Sequence, residues 1–328
     1  MKKNISDNLS ENYIINKFLK KLNFNKLGTF NFENDAAYIN TSKNYKTVIT
    51  TDTITENIDF FSKDPPESVA QKLVCINLSD LSAMGSLPKA YTLNLSINSK
   101  VNFTWLKKFT NRLFFLQKKY NFYLIGGDIS KSKELSLSAT FFGTAKQKYI
   151  LSQNKCSLGD DIWVTGNLGN SYLGYRIFQN SNFKIKTKYL NIYKKYYLYP
   201  KPCMFGCISS KYISSAIDIS DGFYGDLYKI LKNKFGAIIN KNKIPISKNL
   251  KKIILDNKSK VYKDQILTWG DDYQLILTAN KKYKQKINNL AKKNNIKLTN
   301  VGTIIKTKGI FDDSMSLIKN PGSFDHFS

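Results

Sequence analysis

Strand-like runs alternate with helix-length stretches along most of this chain, and that alternation restricts it to layered architectures of helices on sheets. Residues 46–52 (KTVITTD) read as a strand ending in polar residues. Pro65-Pro66 then opens a helix that runs to about Met84, where Gly85 and Pro88 stop it. Tyr91–Ile97 alternates as a strand, Trp105–Tyr120 is an amphipathic helix, Phe122–Ile125 reads as a short buried strand, and Leu135–Ala145 as another strand. The pattern loosens over Tyr149–Gly159 and resumes with a strand at Asp161–Thr165, a Gly-rich turn and a helix from about Gly169. Strands follow at Ser215–Ile219, Gln274–Thr278 and near Val301–Ile305, with helices at Phe223–Lys232 and Lys281–Asn294. Glu11–Leu22 carries a helical stripe, and Tyr193–Pro200 reads as a loop covering the core. A chain of 328 residues is too long for one comfortable core, so two domains are expected, 1–148 and 149–328.

Composition narrows the chemistry. The formal charge of +27 invites a nucleic-acid reading, but only two of the 51 basic residues are arginines, Arg112 and Arg176, and the lysines are scattered rather than gathered into an arm. A basic RNA-binding protein is therefore the remote alternative, and no nucleic-acid partner is expected. The single histidine, His326, excludes a histidine triad or a His-rich metal site. Four cysteines without metal spacing fit a reducing cytoplasm. No signal peptide or membrane-spanning run is visible.

Polar chemistry must then come from carboxylates, and several sit where packing disfavours them. In the Pro66–Met84 helix, Leu73, Asn77, Asp80 and Met84 share one stripe, so a carboxylate lies among apolar residues. Asp52 ends a β-run between Thr51 and Thr53; Asp128 follows Gly126-Gly127; Asp218 interrupts Ala216, Ile217 and Ile219. Each stands where a strand meets a loop, the usual ligand position in α/β folds. Oxygen ligands without His or Cys suit Mg²⁺ and phosphate chemistry. There is no P-loop and no protein-kinase signature; Gly166-Asn167-Leu168-Gly169 could wrap a phosphate at a helix start, though alone it is a weak signal.

Taken in order, Asn34-Asp35-Ala36-Ala37, Thr50-Thr51-Asp52-Thr53, Asn77 to Gly85, Ile125-Gly126-Gly127-Asp128, Val164-Thr165-Gly166, Ile217 to Gly222, Gly270-Asp271-Asp272-Tyr273 and the closing Phe324-Asp325-His326-Phe327 resemble the thiamine-monophosphate kinase family. That family belongs to a superfamily with phosphoribosylaminoimidazole synthetase, selenophosphate synthetase and a hydrogenase maturation factor. The resemblance implies ATP-dependent phosphorylation of thiamine monophosphate to thiamine diphosphate, with another ATP-using enzyme of the superfamily as the alternative. It implies an α/β (α+β) fold of two domains: an N-terminal mixed sheet with helices that dimerises into a barrel-like core, and a C-terminal α/β sandwich domain. It also implies a homodimer with ATP and several Mg²⁺ ions in the cleft between the domains. By position, the resemblance assigns Asp35, Thr50, Thr51, Asp52, Asp80, Asp128, Asp218 and Asp221 to metal; Gly127, Ser220 and Gln153 to ATP; and Asp59, Asp271 and Phe324 to the thiamine phosphate. Three departures stand out: the family's Gly-Asp-Asp start is Asn34-Asp35 here, which keeps the second carboxylate; Asp59 stands where the family often has His; and Gln153 where it has Arg.

Overall fold

The computed structural model describes residues 30, 33–35, 37–179, 185–257, 263–318 and 322. The expected helix at Glu11–Leu22 and the terminal Phe324 lie outside them.

Two sheets organise the molecule. The first contains β1 (Ala37–Ser42), β2 (Tyr45–Thr55), β3 (Leu87–Ile97), β4 (Tyr123–Lys131) and β5 (Ser136–Lys146), in the order β1-β2-β5-β3-β4. Only β3 and β4 run parallel, because the helix between them returns the chain to the same end. Strict alternation gives each long strand two unlike faces: on β5, Leu137, Ala139 and Phe141 are buried, while Ser136, Ser138 and Thr140 lie on the other side.

Two helices cover the buried face, α1 (Pro66–Ala83) and α2 (Phe103–Tyr120). The α2 cap is a local sequence event: Asn102 Oδ1 accepts the Trp105 N–H at 3.0 Å, and Asn121 ends the helix in the left-handed region at φ 56°. In contrast, α1 is buried nearly all round, since it packs on the first sheet and also on the second half of the chain. Small residues make that double contact possible. A side chain at Gly206 would run into the Ser82 carbonyl, so α1 and the Gly206 segment approach at backbone distance.

After Ile150 the chain builds the second sheet from β6 (Asp161–Thr165), β7 (Ser215–Asp218), β8 (Gly236–Ile239), β9 (Leu275–Ala279), β10 (Leu298–Ile305) and β11 (Gly309–Asp312), ordered β11-β8-β10-β6-β9-β7. Around it lie α3 (Asn170–Phe178), α4 (Thr187–Leu198), α5 (Phe205–Ser209), α6 (Phe223–Leu231), α7 (Lys248–Asp256), α8 (Lys263–Thr268) and α9 (Lys284–Lys293). One apolar cluster fills the first half, a second fills the other, and a third, with Ala83, Leu151, Trp163 and Phe205, joins them.

Two expectations need correction. The strand read as short and buried at Phe122–Ile125 is β4, nine residues long and exposed throughout, with Tyr123 63% and Ile129 69% accessible. It is the edge strand of its sheet, and its apolar residues face outward. The stretch Tyr193–Pro200, read as a loop, is largely the last turns of α4; Tyr193 and Tyr197, one helical turn apart, are both buried.

Candidate active site

The first sheet, α1 and β7 meet along one line, and carboxylates collect there. Strand alternation puts Thr50 and Asp52 on the face of β2 that looks toward α1. The register of α1 brings Asp80 to the same place, where Thr50 Oγ1 donates to its Oδ2 at 2.5 Å. Asp218, the last residue of β7, arrives from the second sheet and is 1% exposed. Asp35 enters from the segment before β1. One oxygen each of Asp35, Asp80 and Asp218 lies within 4.8 Å of the other two.

No described cation sits among these three carboxylates, and burial dominates their titration. It pushes Asp35 up to about 7, against the pull of Lys229, and Asp52 up to about 6 with help from the Asp59 charge. Asp80 is raised well above the carboxylate range by desolvation and then by the charges of Asp52, Asp218 and Asp35, and Asp218 by desolvation and then by the charge of Asp35. Asp35 Oδ2, Asp52 Oδ2 and Asp218 Oδ1 are buried without a hydrogen-bond partner among the described residues. Oxygens so arranged fit a hard divalent ion.

The flanks are held by named contacts. Gln153 Nε2 donates to Asp35 Oδ1 at 3.1 Å, and Gln153 N donates to Asn34 Oδ1 at 2.9 Å, so both departures noted in the sequence serve to fix Asp35. Lys229 pairs with Asp221 at 2.5 Å and with the fully buried Asp226 at 2.9 Å, while Asp226 accepts the Asp221 N–H at 3.0 Å.

A cavity of about 410 Å³ extends from the cluster between the two halves. Asp59 and Asp271 line it beside Lys72, whose Nζ donates to Asp271 Oδ2 at 3.0 Å and to the Asp59 carbonyl at 2.7 Å. Ser220 and Asp221 line it too. Its wall is aromatic: Trp269 stacks on Tyr175 at 4.6 Å, and Tyr175 on Phe61 at 6.0 Å. Sequence reading missed Lys72, Phe61, Tyr175 and Trp269. Aromatic residues at helix and loop positions read as core, and only the Trp269-Gly270-Asp271 adjacency hinted otherwise.

Three assigned residues stand apart within one chain. Thr51 is exposed on the opposite face of β2, bonded to Thr140 Oγ1 at 2.9 Å. Asp128 and Gly127 lie on β4, the far edge of the sheet. The row Thr53–Ser138–Asn94–Asp128 runs across four strands, about 14 Å at ordinary strand spacing. Gly127 has a structural need of its own, since a side chain there would strike the Leu93 carbonyl.

Two α/β halves around an acidic cleft define the class, and residues 33–145 match the family model for AIR synthase related protein, N-terminal domain. The fold is also that of AaThiL complexed with AMPPCP and TMP, at a TM-score of 0.84 and 24% identity over 97% of both chains. The crystal structure of thiamine-monophosphate kinase from Stenotrophomonas maltophilia K279a matches at a TM-score of 0.75 and 30% identity, covering 85% of this chain and 89% of that one. The thiamine-monophosphate kinase of Buchnera aphidicola from Acyrthosiphon pisum is 37% identical over 89% of this chain and 91% of its own length; that of Haemophilus influenzae is 32% identical over 89% and 90%. The chain belongs to the thiamine-monophosphate kinase family.

Proposed function

We propose that this chain transfers the γ-phosphoryl group of ATP to thiamine monophosphate, giving ADP and thiamine diphosphate, in the cleft between its two sheets. The observation that carries this reading is the convergence of Asp35, Asp80 and Asp218, with orphaned carboxylate oxygens, in a chain 37% identical to a thiamine-monophosphate kinase. The same kinship favours the kinase over a ring-closing synthetase of the superfamily.

Several Mg²⁺ ions would be held by Asp35, Thr50, Asp52, Asp80 and Asp218, with Asp221 at the margin beside Lys229. Bound there, they supply charge neutralisation and alignment for two phosphate groups that otherwise repel. The protein's residues do the rest. The acceptor, a phosphate monoester with a second pKa near 6, is already largely dianionic at neutral pH, so no general base is required and no histidine is missed. Lys72 holds Asp271 and the Asp59 backbone in the cavity wall, where the Asp59 carboxylate suits the positive thiazolium ring and Trp269 and Tyr175 offer it a stacking face. Ser220, Gln153 and Gly127 are assigned to ATP, and Phe324 to the thiamine moiety.

Thr51 and Asp128 find a role in the homodimer. Both lie on or beside the Ser- and Thr-rich face of the first sheet, and β4 carries Tyr123, Leu124, Ile125 and Ile129 exposed along an edge that is unpaired among the described residues. Closing that edge against a second copy, as a barrel-like core, would bring Asp128 of one protomer toward Thr51 and Asp52 of its partner. We divide the chain at residues 1–148 and 149–328, and place it in the cytoplasm; no described helix is long and apolar enough to cross a membrane.

The test is Asp80→Asn and Asp218→Asn in parallel. Both variants should stay folded, lose Mg²⁺ binding by calorimetry, and fall in turnover by roughly a thousandfold, several kcal/mol of transition-state stabilisation. Turnover close to wild type in either would remove the metal role.

A further inference from the structure

A second cavity, of about 1010 Å³, opens beyond Asp271, which lines both it and the cleft. It lies at the end of the second sheet where β6 passes through Gly166-Asn167 into α3, so the weak phosphate-loop signal of the sequence falls on its wall. Four cations from four separate segments reach it: Arg112 of α2, Lys195 of α4, Lys201, and Lys297 before β10. Among the described residues none of the four is in an ion pair.

Neutral contacts hold two of these cations in place. Gln71 Oε1 accepts from Arg112 Nε and Nη2 at 2.9 and 2.6 Å, and Asn167 Oδ1 accepts from Lys297 Nζ at 2.5 Å. The two carboxylates on the wall are spent elsewhere. Asp271 is bound to Lys72 and to the Tyr273 hydroxyl, while Asp272 takes the Gly169 N–H and the Ser171 hydroxyl, both at 2.8 Å. Crowding of like charge is felt next door: burial and then the charges of Lys201 and Arg112 push Lys119 down, and burial and Lys251 do the same to Lys297.

The remaining wall is planar and apolar, with Tyr196, Tyr199, Ile192 and Ile296. Arg112 already lies 5.5 Å above the Tyr199 ring. Asn170, 5% exposed at the first turn of α3, lines the cavity and leaves its Oδ1 without a partner among the described residues. Unpaired cations call for phosphates, flat side chains for a heteroaromatic ring, and an orphaned amide oxygen for a hydroxyl or ring N–H. We propose that this cavity is a second, metal-independent binding site for a nucleoside polyphosphate, its phosphates met by Arg112, Lys195, Lys201 and Lys297 and its base laid against Tyr196 and Tyr199.

The absence of a metal requirement makes the site separable from the cleft. Without Mg²⁺ the acidic cluster repels a polyphosphate, whereas the basic cavity does not. ADP titrated by calorimetry into the full chain in excess EDTA should bind at one equivalent per chain. The Lys201→Gln/Lys297→Gln double variant should weaken that binding at least tenfold while its turnover stays within twofold of wild type, since neither lysine lies in the cleft. Adenosine and pyrophosphate should each bind at least tenfold more weakly than ADP. No binding of ADP in EDTA, or binding that the double variant leaves unchanged, would overturn the site; pyrophosphate bound as tightly as ADP would overturn its nucleotide character.

Discussion

Asp80 lies on a helix face with Leu73, Asn77 and Met84, and that misfit was legible from sequence because a helical register can be counted and a carboxylate on a packed stripe needs a reason. Asp52 and Asp218 were legible the same way, as acids closing apolar β-runs. What composition could not show is which way each side chain points: Thr50 and Thr51 are neighbours in sequence, but the two-residue strand period sends them to opposite faces. Nor could it separate an aromatic wall from an aromatic core. Trp269 belongs to the wall, with its ring stacked on Tyr175 and one side turned to the cavity. Trp269→Ala should raise the KM for thiamine monophosphate by about two- to tenfold, the equivalent of ~0.5–1.5 kcal/mol of stacking, and leave the KM for ATP within twofold. Equal loss for both substrates in steady-state assays would show that the residue only shapes the fold. For Phe324, assigned from the terminal aromatic motif, Phe324→Ala should show the same selective rise in KM; a lowered melting temperature without it would mark a packing role instead.

At the scale of elements, boundaries were clear wherever the chain carries its own stop signals. Pro65-Pro66 and Gly85 bracket α1 to within a residue or two, and Asp161–Thr165 matches β6. Elements without such signals were invisible: β8 and β11 are four residues each, and α7 is a Lys-rich segment of which only Leu250 and Ile253 are buried. Tyr-rich α4 shows why composition misleads, since its lysines and tyrosines resemble a surface loop until their helical spacing is counted. The element that matters most is α1, wedged between both halves, and Gly206 leaves no room for a side chain against the Ser82 carbonyl. Gly206→Val should therefore cost about 1–3 kcal/mol in urea unfolding, because overpacking forces the backbones apart. It should also lower turnover beyond what stability explains, since Asp80 moves with the helix; a destabilised variant with full turnover would show that α1 does not set the site.

For the whole molecule, a division into two parts was readable from the length and from the loosening of the pattern over Tyr149–Gly159, but the exposure of β4 was not, because an apolar run reads the same whether its chain covers it or leaves it at an edge. Leu124→Lys/Ile129→Lys should convert the proposed dimer to a monomer by light scattering and remove most activity; a fully active monomer would separate Asp128 from the chemistry. Electrostatics makes a second global statement. Asp35 and Asp52 titrate near 7 and 6 in the folded metal-free chain, against 3.8 as their ordinary value. Over that window the folded state holds more protons than the unfolded, so these groups lower stability as pH rises. The Mg²⁺ proposed at this cluster would bind the ionised carboxylates, so the rise in melting temperature it gives should grow from about pH 5 to about pH 8, with Asp80→Asn abolishing the growth. A Mg²⁺ effect independent of pH would contradict the burial of charge at this cluster.

The central claim is that the cleft passes a phosphoryl group from ATP to an existing phosphate ester. Phosphorus-31 NMR of the full chain mixed with ATP, Mg²⁺ and thiamine monophosphate reads this directly. Thiamine diphosphate should appear in step with ADP, one for one, and without inorganic phosphate. ATP turned to ADP and inorganic phosphate while thiamine monophosphate stays unchanged would contradict the account.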